Sequence, residues 1–225
     1  MQATPRASHH DVWPLPGRHG RYLLYKAGEI ANTDDTLFAD VWANTVDSSL
    51  HNLVWGWQYV ADWDNGAIIH IGPHLECYNA GNWILGGSLL NNVTIVNFAL
   101  DLVDACWNMY VSTVHGPEVF RYFSSDGNYM GSSPSSVNFM FHERLGFFVY
   151  PGDSDYYLRP EVLESKFYVW RATGAVRYYE NAVSTLKKFE TWLPAPITYA
   201  GIDDVDATDS AFIDDMQMAL VELSS

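Results

Sequence analysis

The chain has 225 residues, of which 48% are hydrophobic and 15% aromatic, and its formal net charge is −15. Such apolar content supports one large domain or two small ones and excludes extensive disorder. The acidic balance, without Lys or Arg clusters, excludes a nucleic-acid binder, and no run of 18 apolar residues offers a transmembrane segment.

Residues 1–32 show weak periodicity. The opening MQATPRASHHDVWPLPGRHG has no apolar stretch after its basic residues and does not read as a signal peptide. Residues 33–55 predict a helix, with acids at its start and Leu37, Val41, Val46 and Leu50 as apolar positions. Residues 55–72 predict a β-hairpin around Asn65-Gly66. Residues 75–90 and 93–113 predict two helices joined by a short turn. Gly81, Gly86 and Gly87 weaken the first unless another backbone packs close to it.

Residues 117–145 are Ser-rich and irregular, and 146–159 predict an extended pair around Pro151-Gly152-Asp153. A helix follows from Pro160, which suits a first helical position, and Gly174 stops it. Leu163, Phe167 and Trp170 give it an apolar stripe, with Glu161, Glu164 and Tyr168 on roughly the opposite side. Residues 176–193 predict another amphipathic helix through Tyr179, Ala182, Val183, Leu186 and Leu193, ending before Pro194. From 160–174 alone, Glu161 and Glu164 are ordinary N-terminal acids facing the positive end of the helix dipole. The whole pattern is helical hairpins with short β-hairpins between them, an all-α toroid in which two helix layers alternate.

The two cysteines, Cys77 and Cys106, are too few for a zinc site and carry no CxxC spacing. Buried free thiols are the ordinary reading in a cytosolic protein. The predicted hairpin offers another: with the turn near Asn91, the cysteines stand 14 residues before it and 15 after it, so antiparallel helices bring them level. A disulfide there requires an oxidising compartment. Asn92-Val93-Thr94 on the same turn is an N-glycosylation acceptor, consistent with secretory passage.

Several stretches together resemble glycoside hydrolase family 47, the class I α-1,2-mannosidases that trim high-mannose N-glycans. LRPEVLESKFYVWRATG (158–174) resembles the family's LRPE-x-x-ES-x-[FY]-Y-x-x-R-x-TG signature. HLECYNAGNWILGGSLL (74–90) is similar to its HL-x-C-F-x-x-G block, ALDLVDACWNMY (99–110) to the block that follows, and DDVDATDSAFIDDMQ (203–217) to the lead into its M-x-SF-x-x-AE block. The similarity runs over 33–217 in the family's order, with 1–32 as an N-terminal segment and 218–225 as a divergent tail.

The resemblance implies a partial (α/α)7 barrel and a calcium-dependent, inverting hydrolase. Such enzymes use two carboxyl groups about 6.5–9.5 Å apart, one protonating the leaving oxygen and one activating water. It implies Glu161 as the catalytic base, Arg159 and His74 as substrate-binding residues, and Glu164 as an indirect metal residue that orients calcium-bound water. It also places Cys77 and Cys106 where fungal members pair theirs. The implied partner is a high-mannose N-glycan and the implied location is the secretory pathway. The family's acid glutamate, its catalytic aspartate and its calcium-binding threonine have no counterpart in these residues, so the expectation is part of a barrel, inactive by itself. The alternative is a non-catalytic glycan-binding or structural remnant.

Other motifs carry less. Ser184-Thr-Leu-Lys187 has the Ser-x-x-Lys spacing of penicillin-binding enzymes without their other motifs. His70 and His74 are four apart, but Gly72 and Pro73 forbid the helix that would pair them on a metal. His9-His10 has no third ligand nearby. Asp204, Asp206 and Asp215 fall near calcium-loop positions without the required glycine and final glutamate. They read as a solvated acidic loop.

Overall fold

A computed structural model describes residues 37–55, 59–64, 67–69, 71–113, 119–122, 140–142, 147–149, 154–196 and 199–213. The predicted N-terminal segment and divergent tail, as well as His9-His10, His70 and Asp215, lie outside these residues.

Helix α1 (Leu37–Asn52) ends before the predicted residue 55, where the chain has become a strand. It buries Trp42, Val46 and Leu50 and leaves Leu37 and Val41 exposed. Two antiparallel pairs follow: β1 (Val54–Trp55) with β2 (Tyr59–Val60), and β3 (Asp62–Asp64) with β4 (Ala67–Ile69). The Asp64–Ala67 register leaves two residues between β3 and β4, as the predicted Asn65-Gly66 turn requires, although those two lie outside the described residues.

Strand β5 (Ile71–Pro73) runs into a 3₁₀ turn, His74–Cys77, which continues as α2 (Tyr78–Leu89). Asn92 then caps α3 (Val93–Ser112), its side-chain oxygen accepting from the backbone N–H groups of Thr94 and Ile95. Beyond α3 come β6 (Val119–Tyr122), β7 (Met140–His142) and β8 (Phe147–Val149). With β5 they form an antiparallel sheet in the order β5-β6-β8-β7.

This sheet corrects two expectations. The region read as irregular contains β6 and β7. The predicted extended pair over 146–159 does not form, because β8 has β6 on one side and β7 on the other. Tyr156 instead bridges to Ile202. That residue belongs to β9 (Gly201–Ile202), which pairs with β10 (Phe212–Ile213).

Helix α4 (Glu161–Thr173) starts one residue after Pro160, which occupies the N-cap position. It ends at Gly174, whose φ of 69° is the left-handed conformation glycine adopts most readily and whose N–H donates to the Trp170 carbonyl. Helix α5 (Val176–Trp192) returns antiparallel to it. Its Lys188 ammonium donates to the carbonyls of Tyr110 and Thr113, satisfying the C-terminal end of α3.

The hairpins α2–α3 and α4–α5 stack side by side, with α2 packed on α4. Gly81 permits the contact: a Cβ there would lie 2.9 Å from Tyr168 Cδ2 and 3.2 Å from the Ser165 Cα. The Ser165 hydroxyl donates to the Cys77 carbonyl (2.6 Å) and accepts from the Gly81 N–H (2.9 Å), tying the two helices together. Cys77 and Cys106 form the expected disulfide, with Cα atoms 5.9 Å apart.

The buried faces of α4 and α5 differ from the predicted stripes. α4 buries Val162, Ser165, Lys166 and Val169 while Phe167 is 54% exposed, and α5 buries Tyr178, Thr185 and Phe189 while Tyr179 is 53% exposed. Among the described residues no helix is long and apolar enough to cross a membrane.

Candidate active site

Two chain segments meet at the site. The β5 strand delivers His74, the first residue of the 3₁₀ turn, into the interior, and the segment 156–160 delivers Glu161 at the first turn of α4. Leu158, just before the Arg159-Pro160 approach, holds a φ of 57°, a left-handed conformation unfavourable for a leucine. Its buried side chain and the Tyr156–Ile202 bridge hold that bend in place.

His74 is fully buried and engaged at both ring nitrogens. Nδ1 lies 3.0 Å from Glu161 Oε2, and Nε2 lies 2.7 Å from the Tyr110 hydroxyl. The Tyr110 hydroxyl donates to that of Tyr156 (3.3 Å), and Tyr156 donates to the Arg159 carbonyl (3.2 Å). The rings of Tyr110 and Tyr156 also flank the imidazole, with centroids 5.7 and 5.8 Å away. A closed set of contacts thus links the Glu161 carboxylate, through the imidazole and two phenols, to the backbone two residues before Glu161.

Burial by itself raises the Glu161 carboxyl. The hydrogen bond and charge of His74, its own backbone N–H and the nearby Arg159 guanidinium outweigh that, and hold it below the ordinary glutamate value. An ionised carboxylate with one oxygen held by a fixed ring still has lone pairs able to accept a proton, as a general base requires.

Glu164 follows Glu161 by three residues on α4 and is half-buried, as is Arg159. The structure therefore groups Glu161, His74 and Arg159 at one place, with Glu164 on the same turn. Asn92 stands apart at the exposed α2–α3 turn, and Cys77 and Cys106 brace the hairpin. Among the described residues no group of three or more His, Cys, Asp or Glu could hold a metal ion. They thus offer no side-chain cluster for a direct calcium site. Tyr110 and Tyr156 were not legible from the sequence: they lie 46 residues apart on α3 and in a loop, and no spacing pattern joins them to His74.

The glycosyl hydrolase family 47 model matches residues 22–220. The chain is 34% identical over 179 residues to a probable mannosyl-oligosaccharide alpha-1,2-mannosidase 1B of Aspergillus niger, covering 76% of this chain and 33% of that protein. It is 38% identical over 136 residues to the mannosyl-oligosaccharide alpha-1,2-mannosidase 1B of Emericella nidulans, covering 60% and 25% respectively. The solved alpha-1,2-mannosidase from Trichoderma reesei superposes with a TM-score of 0.75 at 29% identity, over 88% of this chain and 42% of that one. The chain thus spans about a third of the length of the curated relatives it matches. Its helical hairpins are part of the (α/α)7 barrel of those enzymes. With a family model covering most of its length, the chain belongs to glycosyl hydrolase family 47.

Proposed function

We propose that this chain supplies the base side of an inverting α-1,2-mannosidase acting on high-mannose N-glycans in the secretory pathway. The observation that carries the reading is the buried Glu161–His74 pair at the start of α4, directly after Arg159 and Pro160. Glu161 takes a proton from water as the water oxygen attacks the anomeric carbon of the terminal mannose. The bond from that carbon to the glycosidic oxygen breaks, and the leaving oxygen takes its proton from a second carboxyl group. His74 fixes the Glu161 carboxylate, Tyr110 fixes His74, and Arg159 lies close enough for its charge to reach Glu161 and is assigned to the mannose hydroxyls. Calcium supplies electrostatic hold on substrate and water when bound in this family. No step is assigned to it here, because the described residues offer no direct ligand set.

The acid carboxyl has no counterpart among the family motifs present, so the chain alone is expected to bind glycan without turnover. The test is an oligomannose digest in calcium buffer, with the chain alone and with polypeptide covering the rest of the barrel, followed for free mannose. Release that Glu161→Gln abolishes supports the base assignment. Release that survives the substitution removes it, and glycan binding without release in either mixture favours the non-catalytic alternative.

A further inference from the structure

We propose that Asn92 carries an N-linked oligosaccharide whose first sugars lie over the exposed apolar turn between α2 and α3. The inference rests on the geometry of that turn, and its failure leaves the base assignment of Glu161 untouched.

Asn92-Val93-Thr94 is the one Asn-x-Ser/Thr triplet among the 225 residues, and its middle residue is not proline. The turn that presents it is held without the Asn92 amide nitrogen. Asn91 takes a φ of 53°, and the N–H groups of Leu90, Asn91 and Asn92 donate to the carbonyls of Gly86, Ser88 and Gly87, closing the end of α2. The Asn92 Oδ1 accepts from Thr94 and Ile95 and opens α3. Nδ2 has no hydrogen-bond partner among the described residues, and the residue is exposed. One atom of the amide thus caps a helix while the other is free to carry a substituent.

The transfer forms a bond from Nδ2 to the anomeric carbon of a lipid-diphosphate-linked oligosaccharide. The bond from that carbon to the phosphate oxygen breaks, the diphosphate leaves with its electron pair, and one amide proton passes to a base of the host transferase. The product is still an amide, so Oδ1 keeps its capping role.

The surroundings call for cover. Leu89 is 63% and Val93 68% exposed, and Leu85 and Leu90 are exposed beside them. Leu85 and Leu89 stand four apart on one face of α2. None of these four belongs to the core or to the partly buried shell around it. Exposed apolar side chains crowded at one place are an association liability, and a bulky, solubilising glycan attached among them shields them. The position also keeps the sugars clear of the site. The 12 residues of α2 rise about 18 Å, and His74 stands before the first of them. The same hairpin holds the Cys77–Cys106 disulfide, which forms in the oxidising compartments where such glycans are added.

The test takes the full chain, expressed behind a secretion leader in a eukaryotic host, before and after peptide-N-glycosidase. That enzyme hydrolyses the side-chain amide and leaves an aspartate, which caps a helix as asparagine does. The treatment therefore removes the sugars and spares the cap. Peptide mass spectrometry is expected to find the glycan on Asn92, and Thr94→Ala to abolish it. Removing the sugars is expected to lower the melting temperature and to raise the fluorescence of an apolar-surface dye. Leu89→Ser with Val93→Ser keeps the acceptor triplet and should shrink both changes at least about twofold. If the paired variant fails to fold, Leu89→Ser alone replaces it.

Two results would overturn the proposal. An unmodified Asn92 in secreted, disulfide-linked protein removes the site. A glycan whose removal changes neither melting nor dye binding, or changes them equally in the parent and the serine variant, removes the cover.

Discussion

Glu161 and Lys166 sit five residues apart on α4, both buried, and burial acts on each in opposite ways. For Glu161 a partner wins over burial. Its folded carboxyl lies below the ordinary value, so the pair adds stability above the unfolded glutamate pKa and loses it as pH falls through the folded one. Removing the ring while keeping the carboxylate leaves a buried charge unpaired, and His74→Phe is expected to cost about 3–5 kcal/mol at neutral pH. Adding Glu161→Leu should recover most of that loss, and urea denaturation of the four variants measures the coupling. A neutral His74→Phe would show that the pair is not formed.

For Lys166, burial wins. The fully buried ammonium lies 4.5 Å from the Trp107 ring centroid and 5.1 Å from that of Tyr178, faces that favour the charge. Burial nonetheless pushes it down to about 7, with Asp104 pulling up and Arg177 pushing down. The unfolded chain therefore binds more protons between pH 7 and the ordinary lysine value, and stability climbs with pH across that window. Lys166→Met is expected to stabilise the chain by about 1–4 kcal/mol below pH 7, with the gain shrinking toward pH 10. Melting curves at pH 6 and pH 9 decide this.

His74, Arg159, Glu161 and Glu164 were singled out through the family resemblance, whose motifs are local, whereas the contact of His74 with Glu161 spans 87 residues and no spacing announces it. Lys166 was not singled out, since a polar residue between Ser165 and Phe167 has the composition of a surface position.

At the scale of elements, the α2–α3 hairpin is held from both ends. Asn92 caps the second helix at the turn, and the disulfide closes a 29-residue separation near the other end. In the chain-entropy model such a loop is worth about 3–4 kcal/mol. Reduction, or Cys77→Ser with Cys106→Ser, should lower the unfolding free energy by that amount and steepen the denaturant slope, because the unfolded chain without the cross-link is less compact.

The contact of α2 with α4 depends on a missing side chain. At an exposed helical site Gly→Ala gains about 1 kcal/mol. Gly81→Ala instead places a methyl against Tyr168 and the α4 backbone, and should cost about 1–3 kcal/mol. A stabilising Gly81→Ala, read by thermal melting, would mean that the helices stand further apart.

The helix order and the hairpin pairing followed from periodicity and capping residues. The faces of α4 and α5 did not. Ser165 is buried because its hydroxyl serves two backbone groups, while Phe167 and Tyr179, which read as core, are exposed and Trp170 is only partly buried against the core. Apolar periodicity marks the side of a helix that wants cover, not which neighbour covers it.

For the molecule as a whole, the toroid was legible from repeated hairpins, and the four-stranded sheet was not. Its strands are three or four residues long, too short for alternation to show, and β5 pairs with a strand nearly fifty residues further on. That sheet matters for function, because β5 leads directly into His74.

The whole-molecule claim is that this arc brings the base of an inverting mannosidase to the ring. Inversion is visible in the product. The measurement is proton NMR of the first mannose released from an α-1,2-linked oligomannose, in calcium buffer, with the ring completed by the remaining family segments. β-Mannose is expected first, mutarotating afterwards, and none with Glu161→Gln. α-Mannose as the first product, or release unchanged by Glu161→Gln, would contradict it.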